Sequence, residues 1–188
     1  MRKPVLLLAL LLASCSSAQT YTYVLTSVPP AQPTGKGRPL RPPIEVGEVG
    51  IPATLDRQEI VLVAPADRLI VEGTSVWGAP IRQLIRRALS EDLEARLPAG
   101  SVLPPGTPAP PTGLRILTVS FDRFSADTSG RVVLQADWQL ARSGQPPTRL
   151  PHSEQVEVNA GAGTVAAVVP AMSQALGVLA DRIAGRLR

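Results

Sequence analysis

Apolar and polar positions follow two periods along the chain. Tyr21-Thr22-Tyr23-Val24-Leu25 alternates as a strand does. From Ile44 to Ile51 the alternation begins with Ile44 and Val46, but Val49 and Ile51 fall out of step, which predicts a bulge near Gly47 or Gly50. Ile60 to Val63 and Arg68 to Glu72 flank Ala64-Pro65-Ala66-Asp67, a hairpin signal. The period then changes. Pro80 stands where a helix prefers its first residue, and Ile81, Leu84, Ile85, Ala88, Leu89, Leu93 and Leu97 share one face of a helix that Pro98 and Gly100 stop. Leu114 to Phe121 and Arg131 to Leu140 return to strand character, with Asp127 to Gly130 as the turn between them. Gln145-Pro146-Pro147 turns the chain again and Gln155 to Val158 comes back as a strand. Thr164 to Leu187 places Val165, Val168, Met172, Leu176, Leu179, Ile183 and Leu187 on a last helical stripe. Pro170 removes a hydrogen bond there, so regular helix starts near Val169 or kinks. There is no internal repeat.

Two amphipathic helices need a shared surface to cover. The order of elements therefore predicts an α/β (α+β) fold: a compact, mainly antiparallel sheet with two amphipathic helices packed on it. Aromatics make up 3% of residues, so Val, Leu, Ile and Ala must fill the core. Twenty prolines cluster in surface loops, chiefly at 29–43 and 104–111.

The start of the chain has a different logic. Arg2 and Lys3 precede an apolar run from Val5 to Ala13, which is too short to span a bilayer and ends in Ser14-Cys15-Ser16-Ser17. Leu12-Ala13-Ser14-Cys15 resembles the bacterial lipoprotein signal, in which the Cys is acylated and the chain is cut just before it. The resemblance implies a signal peptide at 1–14, a lipid on Cys15 with a short tether at 15–20, and a single domain at 21–188. Cysteine suits that role because its thiolate is the strongest side-chain nucleophile near neutral pH. Each buried methylene contributes about 0.8 kcal/mol, so two or more acyl chains hold stably. An ordinary cleaved signal with Cys15 beside the cut is the competing reading.

Charge adds little to this picture. The formal net charge of +4 falls by two once Arg2 and Lys3 are removed, and no basic stripe interleaved with aromatics points to nucleic acid. With one Cys the domain has no internal disulfide. His152 is the sole histidine, placed beside Pro151 in an expected exposed turn, and no set of metal ligands or G-x-S-x-G elbow accompanies it. A Ser, His152 and Asp arrangement is left open. Otherwise no catalytic residue, metal ligand or cofactor is expected, beyond the covalent lipid on Cys15. Asp56-Arg57 reads as a turn cap or local ion pair before a functional loop, and Trp77 and Trp138 as core or interface packing before the lining of a lipid groove. Arg82, Arg86 and Arg87 crowd the first half of their helix, with Glu91, Asp92 and Glu94 in the second, against the helix dipole. They form a candidate surface for an acidic partner or a neighbouring subunit.

An ordered set of stretches carries a wider resemblance. Tyr21-Thr22-Tyr23-Val24-Leu25, Val46-Gly47-Glu48-Val49-Gly50-Ile51-Pro52, Leu55 to Val61, Val76-Trp77-Gly78-Ala79-Pro80-Ile81, Phe121-Asp122-Arg123-Phe124, Val133 to Trp138 and Ala171 to Leu176 follow the lipoprotein signal in order. Together they resemble the ABC-transport auxiliary lipoproteins, the PqiC-like family. The resemblance implies a non-catalytic partner of an MCE-type lipid transport system, lipid-anchored on the periplasmic face of the outer membrane. It implies an MCE-domain protein as partner, phospholipid or another hydrophobic cargo, a homo-oligomeric ring, and a fold similar to the N-terminal domain of TolB. Ser16, in place of Asp, fits sorting to the outer membrane. The rival reading is a structural or assembly lipoprotein of the envelope without a transport role, and an anchored hydrolase ranks last.

Overall fold

The computed structural model describes residues 18–30 and 37–187. Cys15 and the proposed signal lie outside them. The elements in order are β1 (Tyr21–Tyr23), β2 (Ile44–Gly50), β3 (Glu59–Ala64), β4 (Arg68–Trp77), α1 (Ile81–Arg96), β5 (Val102–Leu103), β6 (Arg115–Asp127), β7 (Arg131–Arg142), β8 (His152–Asn159) and α2 (Val165–Leu187). Two helices cover one face of a mixed, curled sheet, an α+β fold. Its long pairings, β3 with β4, β6 with β7 and β7 with β8, are antiparallel, while β1 with β4, β2 with β5, and β2 and β3 with β6 are short parallel pairings.

β6 is the spine. One edge is paired along its length by β7. The other is shared: β2 takes Arg115 to Ser120, and β3 takes Ala126 and Asp127. β2 and β3 thus follow one edge in the same direction, interrupted by the loop at 51–58, and the β3–β4 hairpin projects from the far end of β6. The expected irregularity in β2 falls between Val46 and Val49. A Cβ on Gly47 would come within 2.5 Å of Ile116 Cγ2, so the strands can approach here only with glycine. A second bulge, between Phe121 and Arg123, lets both Phe121 and Phe124 face the core although they are three apart.

α1 begins one residue later than its sequence pattern suggests, with Pro80 as the flanking residue at φ −49° and ψ 128°. It packs on β2 and β5 and against α2, which lies over β7 and β8. α2 runs unbroken through Pro170, whose side chain is exposed, so the missing hydrogen bond neither ends the helix nor delays its start. Ile85, Leu89 and Leu93 from α1 meet Leu117, Val119, Leu134, Leu176 and Leu179 in one core, all fully buried. Burying each such side chain stabilises the fold by about 1.5–3 kcal/mol. Among the described residues no helix is long and apolar enough to cross a membrane. Two further differences from the sequence pattern bear on function: β4 extends well past Glu72, and His152 opens β8 instead of lying in a turn.

Candidate functional site

The β3–β4 hairpin turns apolar side chains both to the core and to its outer face. Ile60, Leu62 and Ala64 point into the core, so Val61 and Val63 lie on the opposite face, paired across the ladder with Val71 and Leu69. Leu69, Ile70 and Val71 are 47%, 40% and 42% exposed. The three-residue turn holds Ala66 and Asp67 at φ +59° and +56°. Beneath Val61, Val63 and Leu69 lies a hollow of about 160 Å³ that reaches Pro52, Leu55 and Phe124. β1 pairs β4 only at Ser75 to Trp77. From Arg68 to Thr74 the outer edge of β4 therefore has no strand partner among the described residues. A long apolar edge with open N–H and C=O groups is a template for another strand. Sequence reasoning placed this hairpin but did not mark Leu69-Ile70-Val71 as a surface. The usable signal was the lack of polar alternation in the run that leaves the turn.

The three arginines in the first half of α1 sit on the other side of the sheet, and two of them have internal tasks. Arg82 Nη1 donates to the Val49 carbonyl at 3.1 Å, and its Nε and Nη2 reach Asp56 Oδ2 at 3.2 and 2.9 Å. Arg86 Nε donates to the Val46 carbonyl at 2.7 Å and Nη2 to Glu45 Oε1 at 2.9 Å. Both guanidinium groups thus cover carbonyls on the edge of β2 that β5, paired only at Ile44 and Glu45, leaves open. That hydrogen bonding offsets their unfavourable place in the helix dipole. Arg87 faces water, its side chain 76% exposed and held only by Glu91 one turn on. Asp56 is the anion that Arg82 holds, and Arg57 pairs with Glu59.

A buried charged node ties the N-terminal segment down. Asp92 Oδ1 accepts from the Val28 backbone N–H at 2.8 Å and the Ser27 hydroxyl at 2.9 Å. Arg96, 1% exposed, donates to the Val28 carbonyl at 3.0 Å, to Asp92, and to Asp181 of α2 at 2.8 Å. The Thr26 N–H reaches Ser173 Oγ at 3.2 Å. Burial pushes the Asp92 carboxyl up, against these donors and the guanidinium. Residues 26–28, between β1 and the first proline-rich loop, are thereby strapped across both helices.

The match that decides the family runs over residues 23–184, from the end of β1 to the last turns of α2, and its model describes an ABC-type transport auxiliary lipoprotein component. The chain belongs to that family. A crystal structure of an uncharacterized protein superposes on this auxiliary component with a TM-score of 0.69 at 18% identity, covering 91% of this chain and 100% of the other. Protein XCC0632 from Xanthomonas campestris superposes with a TM-score of 0.65 at 18% identity, covering 89% and 94%. At such identity these likenesses speak for the fold. No curated protein matches the sequence. Within this component, His152 lies over the Trp138 ring at 4.5 Å between centroids, and no group of three or more His, Cys, Asp or Glu that could hold a metal occurs among the described residues. Trp77 and Trp138 are both buried in the core.

Proposed function

We propose that this chain is the lipid-anchored, non-catalytic docking component of an MCE-type intermembrane lipid transport system, holding a periplasmic channel to the outer membrane through an acyl group on Cys15. The observation that carries this reading is the apolar edge of β4. Strand addition along Arg68 to Thr74 would supply main-chain hydrogen bonds, and the faces of Leu69 and Val71 would add apolar burial at about 25 cal/mol per Å². Membership of an auxiliary lipoprotein family supports a transporter as the partner. The pairing of β1 with β4 from Tyr21 onward supports a tether short enough to keep the domain beside the bilayer. In the test, Leu69→Arg and Val71→Arg are combined in the full chain, which is then tagged and recovered from detergent-solubilised membranes. The double variant is expected to remain membrane-bound and to lose an MCE-domain protein that the parent retains. Undiminished recovery of that protein would overturn the reading, and recovery of envelope scaffold proteins alone would favour a structural lipoprotein without a transport role.

A further inference from the structure

At the other end of β6, about 35 Å from the hairpin at roughly 3.3 Å per residue, the end of β7, the loop at 143–151 and the last turn of α2 enclose a cavity of about 500 Å³. Four arginines line it: Arg115, Arg142, Arg149 and Arg186. No Asp or Glu does. Such a concentration of one sign needs a reason. Arg115 and Arg142 are direct cross-strand partners, and like charges placed opposite one another destabilise a sheet. Burial, and then Arg142, draws the Arg115 pKa down.

The donors are also left open. Arg115 Nε is fixed by the Pro42 carbonyl at 3.0 Å, while its two terminal amino groups have no partner among the described residues. Arg142 and Arg149 have no carboxylate within ion-pairing distance there, and Arg186 is held from one side by Glu154 at 3.2 Å. Trp138 supplies an independent observation. The residue lines the same cavity, is 3% exposed, and its indole N–H is buried with no hydrogen-bond partner among the described residues. A buried N–H left unpaired costs about 1–3 kcal/mol, so a molecule that brings an acceptor to this indole gains by doing so. His152 stacks on that indole and Leu150, 88% exposed, stands on the rim.

We infer that this cavity binds a phosphate ester or phosphate ion, with Arg115 and Arg142 converging on the oxygens and Arg149 closing over them. Guanidinium forks match phosphate geometry with paired hydrogen bonds, which an ammonium cannot do. The two sources of that chemistry are a phospholipid headgroup and free inorganic phosphate. The exposed Leu150 beside the arginines suits the first, since an acyl chain leaving the headgroup would meet it. The inference uses neither Leu69 nor Val71, so it stands or falls apart from the docking reading.

Titration of the full chain in a neutral maltoside detergent tests it, followed by tryptophan fluorescence and by calorimetry. The probes are inorganic phosphate, short-chain phosphatidylglycerol, and the matching diacylglycerol without phosphate. Saturable binding of phosphatidylglycerol but not diacylglycerol is expected, with the apparent Kd raised at least tenfold in the Arg142→Gln/Arg149→Gln variant. Both residues are exposed, so that variant keeps the fold. Equal molar affinity for inorganic phosphate assigns the site to the free ion, and weaker or no binding of phosphate assigns it to the headgroup. Failure of both phosphate-bearing probes to saturate, or unchanged affinity in the double variant, overturns the inference.

Discussion

Arg96 of α1 donates through Nε to Asp181 of α2 at 2.8 Å, and this pair joins the two helices where residues 26–28 cross them. A guanidinium 1% exposed is tolerated here because Asp92, Asp181 and the Val28 carbonyl surround it. The arrangement fixes the crossing of the N-terminal segment more than it adds net stability, since desolvation of buried ions consumes most of their attraction.

Removal of one partner has a larger effect. Arg96→Ala leaves the Asp92 carboxylate buried without its cation and is expected to lower unfolding free energy by about 3–5 kcal/mol. Urea unfolding measures the loss, and limited proteolysis adds a positional readout: cleavage within residues 24–30 should precede cleavage in the sheet.

The β6–β7 turn predicts acid sensitivity. The Ser129 hydroxyl, together with the backbone N–H groups of Arg131 and Ser129, holds the Asp127 carboxyl down at about 2 from an ordinary 3.8. A carboxyl lowered on folding contributes stability that is complete above its ordinary pKa and is lost as pH falls through the folded value. Thermal melts of the parent should therefore weaken between pH 4 and about 2, and Asp127→Asn should flatten that dependence. An identical acid profile in the variant would remove the assignment.

Gly130 in the same turn has φ +88°, and a Cβ there would stand 2.6 Å from the Ala162 carbonyl oxygen. Gly130→Ala is expected to cost roughly 1–3 kcal/mol, because both the backbone region and the space oppose it. Chemical denaturation against Gly144→Ala, where φ is +76° but nothing lies within 4 Å, separates the contact from the dihedral.

The arginines of α1 divide by role. Arg86→Gln removes a charged donor from the Val46 carbonyl and Glu45, at an expected cost of about 1 kcal/mol, read from the shift in urea midpoint. Arg87→Glu should shift the melt only slightly, since that exposed side chain reaches Glu91 and the like-charge pair that replaces the ion pair is screened by water. Any loss of partner recovery in Arg87→Glu is then an effect of the surface and not of folding.

Periodicity carried most of the architecture. Helix faces and the β6–β7 hairpin were legible because each buries a full stripe, and the misfit of Val49 announced the bulge beside Gly47. Phe121 and Phe124, three apart in a strand, carry the same kind of misfit, which the bulge between Phe121 and Arg123 resolves. β5 is two residues long and has no period to read. The strap was hidden for another reason: Asp92 and Arg96 look like solvated helix charges until Ser27 and Val28 cover them. The arginine cavity draws on residues from four separate elements and the 143–151 loop, which no local spacing brings together, and His152 seemed a loop residue because Pro151 precedes it.

The most direct test of the account is site-specific photocrosslinking in intact cells, with a photoreactive amino acid at position 69 or 71 of the full chain. The account predicts an adduct to an MCE-domain transport protein from both positions and none from Gln174 on the exposed side of α2. Equal labelling at all three sites, or no adduct to a transport subunit from a folded and membrane-bound protein, would contradict it.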